Sequence, residues 1–201
     1  MHRKNVFKSM LKEQVALLNY LQEQNCAVIN GMAGTGKTVM AVEKARIHSD
    51  SREHVLFLCY NVKLKEYLKS AYNYEYVDYY TIDGLAVKLC DRAEADYALF
   101  KEKLLEYYVY GGFPWQHIII DEGQDFGQER IDEINLIDLL KDIVVSDVDS
   151  TGSFYVFYDK NQLVQSRKVP DYIRESDCKL TLYRNSRNTE NIAITSNRLL
   201  G

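Results

Sequence analysis

The sequence predicts an α/β fold in which a mostly parallel sheet is flanked by helices on both faces. Short apolar runs without polar alternation recur along the chain, and such runs are typical of parallel strands that are covered on both faces. Segments with apolar residues at helical spacing separate these runs. A glycine-rich loop at residues 31–38 joins the first apolar run to the helical pattern that follows it.

The predicted strands and helices alternate along the chain. Strands are predicted at residues 26–30, 55–60, within 72–80, and at 118–120, 154–158 and 180–183. Helices are predicted at residues 9–21, with Ser9 as the N-cap, and at 39–45, 64–71, 82–89, 93–110 and 136–143. The charged segment 93–110 is expected to form one or two helices on the surface. In a fold of this kind, ligands bind at the carboxyl ends of the strands.

The composition indicates a single globular domain. The chain has 201 residues, 46% of them hydrophobic, and only two prolines, Pro114 and Pro170. No run of about 18 apolar residues and no secretory signal is visible, so we expect a cytoplasmic protein that is not bound to a membrane. The four cysteines form no C-x-x-C pair, so the sequence predicts neither a zinc site nor a disulfide framework. The net charge of -4 disfavours a protein that holds nucleic acid mainly by bulk positive charge.

The loop Gly-Met-Ala-Gly-Thr-Gly-Lys-Thr at residues 31–38 has the sequence of a P-loop, which holds the phosphates of a nucleoside triphosphate. Its glycines let successive backbone N–H groups point into one concavity, and the helix that follows directs its N-terminal dipole to the same place. Lys37 is expected to contact the β- and γ-phosphates, and the Thr38 hydroxyl is expected to ligate Mg²⁺.

Two carboxylates, Asp121 and Glu122, directly follow the apolar run at residues 118–120. Because parallel strands end at the same edge of a sheet, this pair is expected to lie beside the loop at residues 31–38. The placement suits metal-assisted hydrolysis, in which Asp121 holds Mg²⁺ and Glu122 orients and deprotonates the water that attacks the γ-phosphate. An acidic pair after an apolar run also occurs at the start of a helix, but the P-loop upstream favours the catalytic interpretation.

Together these motifs resemble those of UvrD-like superfamily 1 DNA helicases. Asp-Glu-Gly-Gln-Asp at residues 121–125 resembles motif II of that family, and the loop at residues 31–38 is similar to motif I. Further matches follow in the family's order: residues 55–61 resemble motif Ia, residues 81–85 the next motif that touches the DNA backbone, residues 159–162 motif III and residues 182–188 motif IV. The resemblance runs from Gln14 to Ile192 and implies a P-loop NTPase domain of the RecA-like type.

The resemblance also implies roles for particular residues. The Gln14 amide reads the adenine edge of ATP, and Gln162 links the γ-phosphate to the DNA-binding surface. Arg187 senses the γ-phosphate, with Arg184 as the competing candidate. The residues assigned to the nucleotide are Gln14, Gly31, Ala33, Gly34, Thr35, Gly36, Lys37 and Thr38; those assigned to catalysis are Lys37, Glu122, Gln162 and Arg187; those assigned to Mg²⁺ are Thr38 and Asp121; and those assigned to single-stranded DNA are Asn61, Lys63 and Thr81.

The chain departs from the family pattern in two places. Family members carry a second RecA-like domain with motifs V and VI, which these residues lack, and a large DNA-binding subdomain where this chain has only a small helical insertion at about 86–115. We therefore expect residues 1–201 to be a monomeric first motor domain that binds ATP and Mg²⁺ but hydrolyses ATP very slowly without its second domain. The alternatives are a helicase-like nucleotide switch in signalling or defence and, less favoured, a small-molecule kinase.

Overall fold

The computed structural model describes residues 10, 12–126, 130–131, 134–145, 151–162 and 170–183. The helices are α1 (Lys12–Tyr20), α2 (Lys37–Asp50), α3 (Val62–Ala71), α4 (Ile82–Cys90), α5 (Tyr97–Tyr110), α6 (Leu136–Val145) and α7 (Asp171–Arg174). The strands are β1 (Cys26–Gly31), β2 (Val55–Cys59), β3 (Val77–Tyr80), β4 (His117–Asp121), β5 (Arg130–Ile131), β6 (Ile134–Asn135), β7 (Ser153–Tyr158) and β8 (Lys179–Leu182). A single 3₁₀ turn, Gly123–Asp125, follows β4. The predicted N-cap Ser9 lies outside the described residues.

Six strands form one sheet in the order β3-β2-β4-β7-β1-β8, and every neighbouring pair is parallel. These six strands correspond to the six predicted ones, so the predicted α/β fold is confirmed. All residues of β2, β4 and β7 are buried. Continuous apolar runs form strands here because helices cover both faces of the sheet.

The helices form two layers, each with its own hydrophobic core. Ile119 of β4 packs in the core beneath α1, α2 and α3, whereas Ile118 and Ile120 pack in the core shared with α4, α5, α6 and α7. This alternation follows from the two-residue period of a strand. Burial of one such side chain stabilises the fold by roughly 1.5–3 kcal/mol, so the register of the central strands is strongly fixed. The positions of their carboxyl ends are fixed with it.

One of the two arrangements expected for residues 93–110 is observed, since the segment contains one helix at the surface, α5. The helix begins after Asp96, whose side chain accepts a hydrogen bond from the backbone N–H of Leu99 at 3.0 Å. Phe100 and Leu104 are fully buried, so one face of the helix also contributes to the core. With α2 it is the longest described helix, at 14 residues, and no described helix is both long and apolar enough to cross a membrane.

Candidate nucleotide-binding site

The carboxyl ends of β1, β7 and β4 lie side by side in the sheet and carry the predicted motifs. The loop at residues 31–38 begins at the end of β1, the acidic pair lies at the end of β4, and residues 159–162 follow β7. The backbone N–H of Lys160 donates a hydrogen bond to Asn30 Oδ1 at 3.0 Å, which ties the loop after β7 to the end of β1. The three motifs therefore meet at one edge, where ligands bind in parallel α/β sheets.

Two glycines give the loop between β1 and α2 its curled shape. Gly34 has a φ of 84° and Gly36 a φ of 88°, a region that residues with side chains rarely enter. Across the curl, Thr35 Oγ1 donates a hydrogen bond to Met32 O at 2.8 Å. A loop of this shape, followed by a helix, presents backbone N–H groups and the positive end of the helix dipole to an anion.

Lys37 is the first residue of α2, and its side chain folds back over the loop. Its Nζ donates a hydrogen bond to Gly31 O at 2.9 Å and contacts Met32 O at 3.5 Å. Only 6% of the residue is exposed. The ammonium group is therefore held against the loop, where phosphate oxygens can replace the carbonyls as charge-assisted acceptors.

Gln14 of α1 is buried against the same loop. Its Nε2 donates a hydrogen bond to Thr35 O at 2.7 Å. The structure thus brings the predicted adenine-reading amide to the nucleotide site, with one of its donors bonded to the loop backbone. Its role toward adenine stays a prediction.

Asp121 is fully buried, and among the described residues its carboxylate oxygens have only weak contacts, with the Thr38 hydroxyl and the Glu122 backbone N–H. Burial raises the pKa of Asp121 to about 6, and the charge of Glu122 adds to the rise, whereas Thr38 and Lys37 lower the pKa. Weakly satisfied buried carboxylate oxygens are rare in folded proteins, and an unseen ion is one explanation for them. Because Mg²⁺ prefers hard oxygen ligands, Thr38 and Asp121 fit the predicted metal position.

Glu122 has a left-handed backbone, with φ 58° and ψ 44°. This conformation costs a residue with a side chain about 1–3 kcal/mol and persists only where the surroundings impose it. Gln124 provides one constraint, since its Nε2 donates hydrogen bonds to Glu122 Oε2 at 2.8 Å and to Gln162 Oε1 at 2.9 Å. Its Oε1 accepts from the Asp159 N–H at 2.9 Å. One buried amide therefore joins the acidic pair after β4 to the loop after β7.

Tyr172 of α7 holds the same 3₁₀ turn from the side of the core. Its ring is fully buried, and its hydroxyl lies 2.5 Å from both Gly123 O and Phe126 O. A Cβ atom at Gly123 would lie 2.3 Å from Cγ1 of Val156, so the turn packs directly on β7. The backbone beside Glu122 is thus fixed by a tyrosine that no motif predicts.

Replacing Tyr172 with phenylalanine is expected to lower the free energy of unfolding by about 1–2 kcal/mol, because the ring stays buried while the one hydroxyl proton that Gly123 O and Phe126 O share is lost. Any nucleotide hydrolysis that depends on Glu122, as the sequence predicts, is expected to fall as well, since the turn beside this residue loosens. Urea denaturation and steady-state turnover measure the two effects. Tyr110→Phe is the matched control, because Tyr110 is 86% exposed. Unchanged stability and turnover in Tyr172→Phe would contradict this role.

The three residues predicted to contact DNA follow β2 and β3 at the same edge of the sheet. Asn61 caps α3, and its Oδ1 accepts from the Leu64 N–H at 2.8 Å. Thr81 caps α4 in the same way and is buried. Lys63 is exposed in the first turn of α3, so Asn61 and Lys63 are the accessible members of the set. Both candidate phosphate sensors, Arg184 and Arg187, lie outside the described residues.

The parallel sheet, the curled loop and the acidic pair define a P-loop NTPase domain. The sequence model of a family described as "Type III restriction enzyme, res subunit" matches residues 3–145. The chain belongs to this family. No match is found among curated proteins.

Two solved structures share the fold at low sequence identity. The Pif1 helicase from Candida albicans aligns with a TM-score of 0.56 and 15% identity, over 94% of this chain and 43% of that chain. A DNA replication initiation factor aligns with a TM-score of 0.51 and 12% identity, over 100% of this chain and 55% of that chain. The chain thus spans about half of their length. The similarity shows the fold alone, and with the family match it identifies a helicase-like ATPase domain.

Proposed function

We propose that the chain is the ATP-binding motor domain of a UvrD-like superfamily 1 helicase, which couples ATP hydrolysis to movement along single-stranded DNA in the full-length protein. The observation that carries this proposal is the Gln124 amide, which bonds to both Glu122 and Gln162. Residues 159–162 resemble the motif whose glutamine links the γ-phosphate to the DNA-binding surface in that family, and residues 121–125 resemble motif II. Their side chains touch here, as such a connection requires.

In this proposal ATP places its triphosphate in the loop at residues 31–38. The backbone N–H groups and the Lys37 ammonium hold the β- and γ-phosphates, and the ammonium exchanges its contact with Gly31 O for phosphate oxygens. Mg²⁺ supplies positive charge that neutralises the phosphates. Thr38 and Asp121 are the residues that hold it, and its charge favours the ionised form of the buried Asp121 carboxyl.

Hydrolysis depends on Glu122, which orients a water molecule toward the γ-phosphate and accepts its proton. Gln124 holds one oxygen of that carboxylate and bonds to Gln162. A change at the γ-phosphate can therefore pass through two side chains to the loop after β7. We infer that a second RecA-like domain completes the site, because phosphoryl transfer gains several orders of magnitude from an arginine that reaches the transition state.

The proposal is tested by measuring ATP binding, ATP turnover and binding of single-stranded DNA by the chain. We expect Mg²⁺-dependent ATP binding, very slow turnover, and DNA binding that weakens as salt rises, because phosphate contacts release counterions. Lys63→Ala should weaken DNA binding and reduce its salt slope by about one. The matched control is Lys69→Ala, which removes an exposed lysine near the other end of α3 and should change neither.

Three results would contradict parts of the proposal separately. Failure to bind ATP would reject the nucleotide site itself. ATP binding without salt-dependent DNA binding would reject the helicase assignment while leaving the nucleotide site intact. Rapid, DNA-stimulated turnover by the chain alone would reject the need for a second domain.

A nucleotide switch that does not unwind DNA is the second candidate. The net charge of -4 and the short segment between α4 and β4 favour it. That segment holds only α5, which packs into the core, so the described residues include no separate DNA-binding subdomain there. The DNA titration distinguishes the two candidates.

A further inference from the structure

Two histidines and a glutamate form a cluster at the opposite edge of the sheet from the nucleotide site. His48 lies in the last turn of α2, Glu53 in the turn before β2, and His117 at the start of β4. The helix α2 runs from the loop to this cluster, so Lys37 and His48 are about 16 Å apart along its axis. The cluster therefore takes no part in phosphate binding.

The polar atoms of this cluster lie close together, and not all of them have a hydrogen-bond partner among the described residues. Glu53 Oε2 lies 2.7 Å from His48 Nδ1 and 3.2 Å from His117 Nε2. The Nε2 atom of His48 is buried and has no hydrogen-bond partner among the described residues, and the buried Nε2 atom of His117 has only its contact with Glu53 Oε2. The side chains of His48 and His117 are 11% and 2% exposed. A buried imidazole nitrogen without a partner, beside a second buried imidazole and a carboxylate, requires a physical explanation, and a bound ion is one such explanation.

We propose that His48, Glu53 and His117 bind a divalent transition metal ion, with Zn²⁺ as the ion that suits the donors best. Two imidazole nitrogens and one carboxylate oxygen are a donor set that Zn²⁺ accepts in tetrahedral geometry, with water in the fourth position. Imidazole disfavours Mg²⁺ and Ca²⁺, which take oxygen ligands. The site is thus chemically distinct from the Thr38 and Asp121 position.

The distances are close to those that a zinc ion needs. Bonds of about 2.0–2.1 Å in a tetrahedron place neighbouring donors roughly 3.3 Å apart. The distance of 3.2 Å between Glu53 Oε2 and His117 Nε2 matches this value, whereas the distance of 2.7 Å between Glu53 Oε2 and His48 Nδ1 must lengthen. The donor atoms of all three residues lie within 4.8 Å of one another. The imidazole rings stack with centroids 3.7 Å apart, so their lone pairs lie in nearly parallel planes. Metal binding must therefore swing one ring out of the stack.

Lys44 is the neighbouring charge that opposes a cation in this pocket. It is 2% exposed, its Nζ donates a hydrogen bond to Leu21 O at 3.3 Å, and it lies 4.8 Å from the centre of the Tyr155 ring. Burial lowers the pKa of Lys44 to about 8, so the group is mostly charged at pH 7. Replacing it with methionine removes this charge and is expected to tighten metal binding.

The ion would join three segments that meet only in the folded chain. His48 ends α2, Glu53 precedes β2, and His117 begins β4 with its Nδ1 against Ser153 Oγ of β7 at 2.8 Å. Binding to the native arrangement and not to the unfolded chain stabilises the fold by mass action. The expected effect is a higher melting temperature.

The experiment titrates the metal-free chain with Co²⁺, followed by visible absorption, and with Zn²⁺, followed by calorimetry and thermal unfolding. We expect one ion per chain, a tetrahedral nitrogen and oxygen spectrum for Co²⁺, and a raised melting temperature with Zn²⁺. Glu53→Gln should weaken binding about 10-fold or more. Its side chain is 36% exposed, so the fold should tolerate it. His48→Gln should remove binding, and Lys44→Met should strengthen it.

The control is a double variant of the two remaining histidines, His2→Gln with His54→Gln, which should bind as the unchanged chain does. Circular dichroism confirms that each variant is folded. The proposal is overturned if no ion binds, if the Co²⁺ spectrum shows sulfur ligation, or if the folded Glu53→Gln, His48→Gln and Lys44→Met variants bind with unchanged affinity. Loss of binding in the double histidine variant also overturns it.

Discussion

The Lys37→Ala variant is expected to lose ATP binding. Lys37 is buried against the loop, and its ammonium contacts Gly31 O and Met32 O, which are the positions that phosphate oxygens should take over. Removing a charged partner of this kind costs about 3 kcal/mol, or roughly 100-fold in Kd. Fluorescence titration with a labelled ATP analogue measures the effect.

Lys37 also cross-links the loop, so its loss can change the loop as well as the charge. Lys37→Met keeps the buried stem but lacks the ammonium and its hydrogen bond to Gly31 O, so comparing it with Lys37→Ala separates loss of the stem from loss of the ammonium. Both variants should lose affinity, and Lys37→Met should be the more stable of the two. Lys88→Ala, which removes an exposed lysine in the last turn of α4, should leave ATP binding unaltered. Normal affinity in Lys37→Met would show that the ammonium does not contact the nucleotide.

The Glu122→Gln variant is expected to bind ATP normally and to lose at least about 100-fold in turnover in the full-length protein. A glutamine at this position keeps an oxygen that can accept the hydrogen bond from Gln124, so the local geometry should survive. It cannot accept a proton from water, however. Turnover measured beside ATP affinity therefore separates catalysis from binding.

Glu102→Gln is the control for this change, because Glu102 is exposed on α5 far along the chain from the acidic pair. It should alter neither turnover nor affinity. Retained turnover in Glu122→Gln would place the base elsewhere, and Asp125, exposed three residues further on, would then be the first residue to examine.

The central sheet could be predicted from the sequence because its strands are buried on both faces. The apolar residues of β2, β4 and β7 are continuous in sequence, and a parallel arrangement follows from the helices between them. The same argument placed Asp121 and Glu122 beside the loop after β1, and the structure has them at that edge. Local sequence and topology are sufficient for these residues.

Other features depend on contacts that a sequence pattern does not contain. The Tyr172 hydroxyl contacts Gly123 O although the two residues are 49 positions apart in the sequence. The His117 ring stacks on the His48 ring because the register of β4 places His117 at the end of α2. The antiparallel pairing of β5 and β6 is absent from the predicted elements because strands of two residues show no period. For α5 a signal existed: Phe100 and Leu104 are four residues apart and share one helix face.

The left-handed backbone at position 122 disfavours any residue with a side chain, whereas the proposed chemistry requires the glutamate carboxylate at this position. Glycine adopts a φ of 58° without the steric cost that a side chain brings, and asparagine tolerates it better than most residues. A chain under selection only to fold and to bind nucleotide should therefore drift toward glycine or asparagine at position 122. The residue at position 122 should then distinguish homologues that hydrolyse ATP from homologues that have the same fold but only sense the nucleotide.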